Sequence, residues 1–143
     1  MKYFIKLNLV SMLYALIIFI PIRFMGELYR VSRLTGWEFN TVQTIGYIVI
    51  VIEFIIGTLL IIFLTRNLLR GRKANFWTVI LWVPYFVLFV YIIASLFPIT
   101  YEGDMLSPGA GFIMIGILMV YPLYVLIINF IGFTSDDKGI NTV

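Results

Sequence analysis

Polar and charged residues gather in clusters along this chain, and between the clusters run four apolar stretches: Tyr3 to Ile22, Val42 to Leu64, Phe76 to Phe97 and Gly109 to Phe133. A bilayer core about 30 Å thick is crossed by about 20 apolar residues of α-helix, and each stretch is long enough. The pattern predicts an all-α, polytopic membrane protein, a single transmembrane domain over residues 1–143 built as a bundle of four transmembrane helices. The links are short except for Arg23 to Asn40, and a polar tail follows from Thr134. No room remains for a soluble domain, so function is expected in the bundle or on its rims.

Composition sharpens the picture. The chain is 62% hydrophobic and 12% charged, with a mean hydropathy of +1.07, whereas a soluble domain has about 45 to 50% apolar and about 25% charged residues. Cys and His are both absent, which removes disulfides, thiol chemistry, the usual zinc and haem ligands and every His-dependent triad. No cofactor, metal or nucleic acid is expected. The expected partners are the lipid bilayer and another membrane protein or a second copy of the chain.

Lys2 and Lys6 before an apolar run resemble the start of a secretory signal. The run instead ends in Pro21-Ile22-Arg23-Phe24 without a small-residue cleavage pattern, so it reads as a retained helix. Orientation follows from the basic residues of the short connections. Lys2, Lys6, Arg66, Arg70, Arg72, Lys73 and Lys138 fall on one side of the four-span arrangement, and Arg23, Arg30 and Arg33 on the other. The excess places both termini in the cytoplasm. The Arg66, Arg70, Arg72 and Lys73 cluster reads first as an inner basic rim that fixes topology and second as an anionic headgroup site. Asn40, Asn75 and Ser107-Pro108 are positioned to cap spans two, three and four, and Gly71 to end the helix leaving span two.

The Arg23 to Asn40 link carries Phe24, Leu28, Val31 and Leu34 at helical spacing, with Arg23, Glu27, Arg30 and Arg33 on another stripe. It predicts a short amphipathic helix on the outer membrane surface, ended by Gly36 and anchored by Trp37, serving as a connector or as a docking surface. The sequences Phe19-Ile20-Pro21-Ile22 and Leu96-Phe97-Pro98-Ile99 hint at a duplicated hairpin, but two short matches are too few to establish one.

Glu53 lies eleven residues from each end of span two, at the bilayer midplane, where a charge costs about 2.5 to 3.5 kcal/mol on the insertion scale. Gly46, Ile50, Glu53 and Gly57 share one narrow stripe of that helix, so the glutamate is expected in a close helix contact, against span three or four. Desolvation favours the neutral acid, which makes Glu53 a hydrogen-bond donor. Tyr85 and Tyr121 lie at similar depth. Pro122, lacking an N–H, frees the carbonyl of Leu118, and Pro84 frees that of Ile80. Three roles compete for Glu53: a neutral staple between helices, a proton- or cation-coupling carboxylate, and a contact to another membrane protein.

Span four offers two packing faces. Gly109, Ile113, Gly116 and Val120 share one stripe, and Gly111, Leu118, Pro122 and Asn129 share the opposite one. It lies centrally, or uses one face for self-association or a partner, or packs ordinarily with a proline kink. Asn8 and Asn129 lie about equally deep and are expected to bond each other, placing spans one and four side by side.

No catalytic set is legible, since the serines lack a base and no second carboxylate shares the depth of Glu53. Glu102 and Asp104 read as a solvated turn or a weak cation site, and Gly109-Ala110-Gly111 as the start of a span. The expected function is non-enzymatic: binding another membrane component as an accessory subunit, immunity-type protector or assembly factor. The alternative is a small oligomeric proton- or cation-coupled transporter or channel using Glu53.

Overall fold

The computed structural model describes the backbone of residues 1–70 and 72–140, with side chains through Thr134. It is an all-α bundle of four helices long and apolar enough to cross a membrane, with no strand among the described residues. The helices are α1 (Lys2–Thr35), α2 (Phe39–Leu64), α3 (Thr78–Leu96) and α4 (Pro108–Ile140). Between α2 and α3 the chain passes through a π-turn, Thr65–Leu69, and a 3₁₀ turn, Lys73–Trp77, and a further 3₁₀ turn, Glu102–Asp104, lies between α3 and α4. Gly71, assigned from sequence to end the helix leaving span two, and the side chain of Lys138 lie outside the described residues. The helical path is turned one position earlier, by Arg70 in the left-handed region at φ 47°.

The first span departs most from its predicted bounds. α1 does not stop at Pro21 but continues for 34 residues, about 50 Å at 1.5 Å per residue, well beyond the hydrocarbon thickness. Pro21 deprives the Ile17 carbonyl of its helical donor, a loss that spanning helices tolerate, and no helix breaker follows until Gly36. That glycine closes the helix as expected, at φ 70° with its N–H donating to the Ser32 carbonyl. The amphipathic segment is therefore the last turns of α1 and not a separate helix on the membrane surface. The first part of its apolar side meets protein, Phe24 filling the notch at Gly46 and Leu28 being buried, whereas Leu34 near the helix end is 70% exposed. Beside that stripe Tyr29 stacks on Phe39 at 4.7 Å.

Two expected caps are replaced. α2 starts at Phe39 after Glu38 without a side-chain cap, and Asn40 lies inside the helix. Asn75 sits in the 3₁₀ turn before α3, where its carbonyl accepts from Thr78 Oγ1 and its Oδ1 accepts from the Tyr3 hydroxyl at 2.6 Å. Ser107 does cap α4, its Oγ accepting from the Ala110 N–H at 3.3 Å, with Pro108 in the first helical position. The tail from Thr134 continues as helix to Ile140.

The central helix is α1. Of its most apolar stretch 39% is buried, against 17% or less for the other three, and it touches all of them. Tyr14, Ala15, Val10 and Ser11 are fully enclosed. Small Ser11 and Ala15, one turn apart, let neighbours approach, and the Ser11 hydroxyl is satisfied by the Leu7 carbonyl at 2.8 Å. Phe19 meets Phe86 and Phe89 of α3. Tyr14 meets Tyr124 of α4 edge-on. The two similar proline tetrapeptides do different work, since Pro21 is inside α1 and Pro98 follows the end of α3.

Candidate functional site

The stripe of Gly46, Ile50, Glu53 and Gly57 faces α1, not span three or four. A side chain at Gly46 would collide with the Phe24 ring, and one at Gly57 with Ile17. These contacts set the two helices antiparallel, with Glu53 between the two glycines along α2, one turn from Gly57 and two from Gly46. The glycines thus permit the close approach their spacing implied, while the choice of neighbour follows from α1 being the hub.

Glu53 opens into a groove between α1 and α2 of about 480 Å³, lined on one side by Leu13, Leu16 and Ile20 and on the other by Val49, Ile52 and Ile56. Apart from Glu53 its walls are apolar or glycine. The carboxyl makes no hydrogen bond or ion pair among the described residues, and its Oε2 is buried without a partner. A helix staple within the chain is therefore not formed. Ile17, whose carbonyl lost its helical donor to Pro21, lines the same groove. The groove consequently combines an apolar trough with an unsatisfied acid.

The polar residues singled out with Glu53, namely Asn8, Tyr85, Tyr121 and Asn129, are all bonded, but not as paired in sequence. The Tyr14 hydroxyl, Thr65 Oγ1 and Trp82 Nε1 are buried without a hydrogen-bond partner, as Glu53 Oε2 is. Tyr85 donates to Asn8 Oδ1 at 2.6 Å while the Asn8 amide donates to the Phe4 carbonyl at 2.8 Å. Asn129, 1% exposed, donates to Thr78 Oγ1 at 2.7 Å and to the Val125 carbonyl at 3.0 Å. The Asn8–Asn129 bond is thus replaced by two bonds to α3, whose Thr78 and Tyr85 lie two turns apart. Tyr121 donates to the Tyr14 carbonyl at 2.6 Å. Neither Tyr85 nor Tyr121 reaches Glu53. A Thr58–Tyr124 bond of 2.7 Å, missed from sequence, links α2 to α4.

On α4 the two faces separate cleanly. Tyr121, Val125, Ile128 and Asn129 turn inward, and Gly132 meets the Thr65 methyl. On the other side Gly109 and Gly116 have nothing within 4 Å of an added side chain, and neither does Gly111. Ile113 and Val120 between them are 56% and 61% exposed. The Gly109 to Val120 stripe is unused by the chain itself. Pro122 lies within the unbroken helix.

The basic cluster occupies the rim that carries the N-terminus. Arg66 lies in the π-turn, Arg70 is the left-handed residue after it, Arg72 stacks on the Tyr3 ring at 4.9 Å, and Lys73 opens the 3₁₀ turn.

At the far rim Asp104 overturns the solvated-turn expectation. It is 4% exposed and bound by both Arg33 Nε and an Arg33 terminal nitrogen, at 3.1 and 2.6 Å. The guanidinium also stacks over Tyr101 at 4.7 Å. Hydrogen bonding to Arg33 holds the Asp104 carboxyl below the usual carboxylate range, and the same bond raises the Arg33 pKa. This clasp fastens the α3–α4 loop to the extension of α1. The charge partners foreseen along the extension form at Glu27, which pairs with Arg23 and Arg30. Arg33 is drawn away from that stripe by a partner 71 residues on, a separation that sequence periodicity does not reach.

No protein-family model, curated protein or solved structure matches the chain. Its class is defined by its own geometry: an α-helical bundle of four potential spans around a central α1, with an unsatisfied carboxyl in an apolar groove on its flank.

Proposed function

We propose that this protein is a non-enzymatic integral membrane protein that acts by binding another membrane protein within the bilayer, as an accessory subunit, protector or assembly factor, with both termini cytoplasmic. The observation that carries this reading is Glu53: an unsatisfied carboxyl in a groove that opens sideways between α1 and α2. A helix bearing a hydroxyl, amide or ammonium group would fill the trough and satisfy the acid. The unoccupied glycine stripe of α4 offers a second contact line suited to close helix approach. The alternative, a proton- or cation-coupled transporter, rests on the same carboxyl and asks for a water path to it.

Glu53→Leu tests the reading. Removing an unsatisfied buried polar group should leave the isolated protein as stable or more stable, by about 1 to 3 kcal/mol, measured by thermal unfolding in mild detergent. It should abolish cross-linking of a heterologous partner to a photoreactive group placed at Ile52. Destabilisation by this variant would restore the internal staple. Proteoliposomes of the pure wild-type chain that carry a pH-dependent ion flux, lost in Glu53→Gln, would establish the transporter instead.

A further inference from the structure

Two basic pairs far apart in sequence converge at the rim carrying the N-terminus. Lys2 and Lys6, one turn apart on α1, line a cavity of about 250 Å³ with Arg70 and Arg72 from the α2–α3 turn. The remaining lining is Tyr3, Leu68 and Leu69. None of the four cations forms an ion pair among the described residues, whereas Arg23, Arg30 and Arg33 at the other rim are all paired. Like charges repel when gathered around one space, and no acid among the described residues lines this one.

The cavity is also held in shape. Tyr3 is fixed from two sides, by its hydrogen bond to Asn75 and by the Arg72 guanidinium on its ring. Leu69, fully buried, anchors the π-turn beneath. Arg70 adopts φ 47° and ψ 49°, a left-handed conformation that non-glycine residues take only at a cost. The turn therefore holds Arg70 and Arg72 on the cavity wall at the expense of backbone strain.

We propose that this cavity binds the phosphate of an anionic phospholipid headgroup. An anionic phosphodiester would relieve part of the repulsion among the four cations, and arginine forks suit its oxygens. Tyr3 and Leu68, both partly exposed, give the site an apolar side at the end of two helices long enough to span, where a lipid's glycerol and upper acyl chain would lie. A freely soluble phosphate would use the cations alone. The site is independent of the Glu53 groove and of any protein partner.

The test offers the delipidated, detergent-purified full chain equimolar dioleoylphosphatidylglycerol and dioleoylphosphatidylcholine, and counts retained lipids by native mass spectrometry. Phosphatidylglycerol should be retained in clear excess. Lys6→Gln and Arg72→Gln should each lower its retention about fivefold, the effect of one basic charge at such a site. Arg72→Lys, which keeps the charge, should lose less than Arg72→Gln. Lys73→Gln removes the same charge from the same rim but outside this cavity, and should leave retention unchanged. Unfolding curves accompany each variant, so that if Arg72→Gln does not fold, Lys6→Gln and Arg72→Lys decide. Equal retention of the two lipids by the wild type would overturn the proposal. So would a loss in Lys73→Gln as large as in Lys6→Gln, which would assign the effect to the general charge of the rim, or displacement of the lipid by millimolar inorganic phosphate, which would assign the cavity to a soluble anion.

Discussion

Asp104 and Glu53 are both carboxylates removed from water, and their surroundings send them in opposite directions. Each carboxylate oxygen of Asp104 accepts from one nitrogen of the Arg33 guanidinium, and the group is satisfied. Glu53 has hydrocarbon side chains and no partner. The Asp104 clasp has a pH signature whose sign follows from its lowered pKa. A carboxyl held below its unfolded value, about 3.9 for Asp, contributes stability that is complete above that value and lost as pH falls through the folded one. The protection of the amides of residues 101–106 against hydrogen exchange, relative to the unstructured rate at each pH, should therefore be high near neutrality and fall on acidification below about pH 4. In Asp104→Asn protection should be low across the whole range. Protection indifferent to both changes would show that the clasp does not hold the loop. From sequence alone this aspartate is one of two acids in a proline-flanked turn, and its partner becomes visible only when α1 is seen to run on past Pro21 to Thr35.

At the scale of helices, the glycines of this chain divide into those that admit a neighbour and those that do not. Gly46 and Gly57 of α2 receive Phe24 and Ile17 of α1, while Gly116 of α4 meets nothing within 4 Å. Gly57→Leu should therefore overpack the α1–α2 contact and cost about 1 to 3 kcal/mol. Gly116→Leu, which adds the same side chain, should change the stability of the isolated chain by no more than about 0.5 kcal/mol. Thermal unfolding of both variants in the same detergent separates them, and equal losses would contradict the assignment of faces. The spacing of these glycines was legible in the sequence. Which of the stripes would be filled was not, because a small-residue stripe states that a helix can approach and is silent on which helix does.

For the whole molecule, the three connections alternate sides if all four helices cross, and the basic residues then choose the orientation. Cysteines introduced singly at Glu102 and at Lys73, both exposed, report on opposite rims of this naturally cysteine-free chain. In intact cells an impermeant thiol reagent should label the first and spare the second, and the reverse pattern would invert the topology. The two rims also differ in chemistry. The far one is closed by paired charges, Arg33 with Asp104 and Glu27 with Arg23 and Arg30, whereas the N-terminal one gathers four cations around one cavity with no acidic partner among the described residues.

The number of helices long and apolar enough to span, the helical class and the place of Glu53 in the middle of its apolar run were legible in the sequence alone, because each depends on a local quantity: the length of an apolar run against the thickness of hydrocarbon, or the distance of one residue from the run's ends. Gly36 and Ser107-Pro108 were legible for the same reason, since a left-handed stop and an N-cap are set by residues a few positions apart. The continuation of α1 through Pro21 was not, because a proline that ends a helix in water can be carried by a spanning helix packed on its neighbours. Tertiary structure alone decided that α1 is the hub, that Asn8 and Asn129 each bond α3 instead of one another, and that Glu53 faces α1 and remains unsatisfied. In hydrocarbon every apolar face is acceptable to lipid, so hydrophobicity does not rank one helix neighbour over another. The order around the bundle is left to shape and hydrogen bonds between residues far apart in the chain.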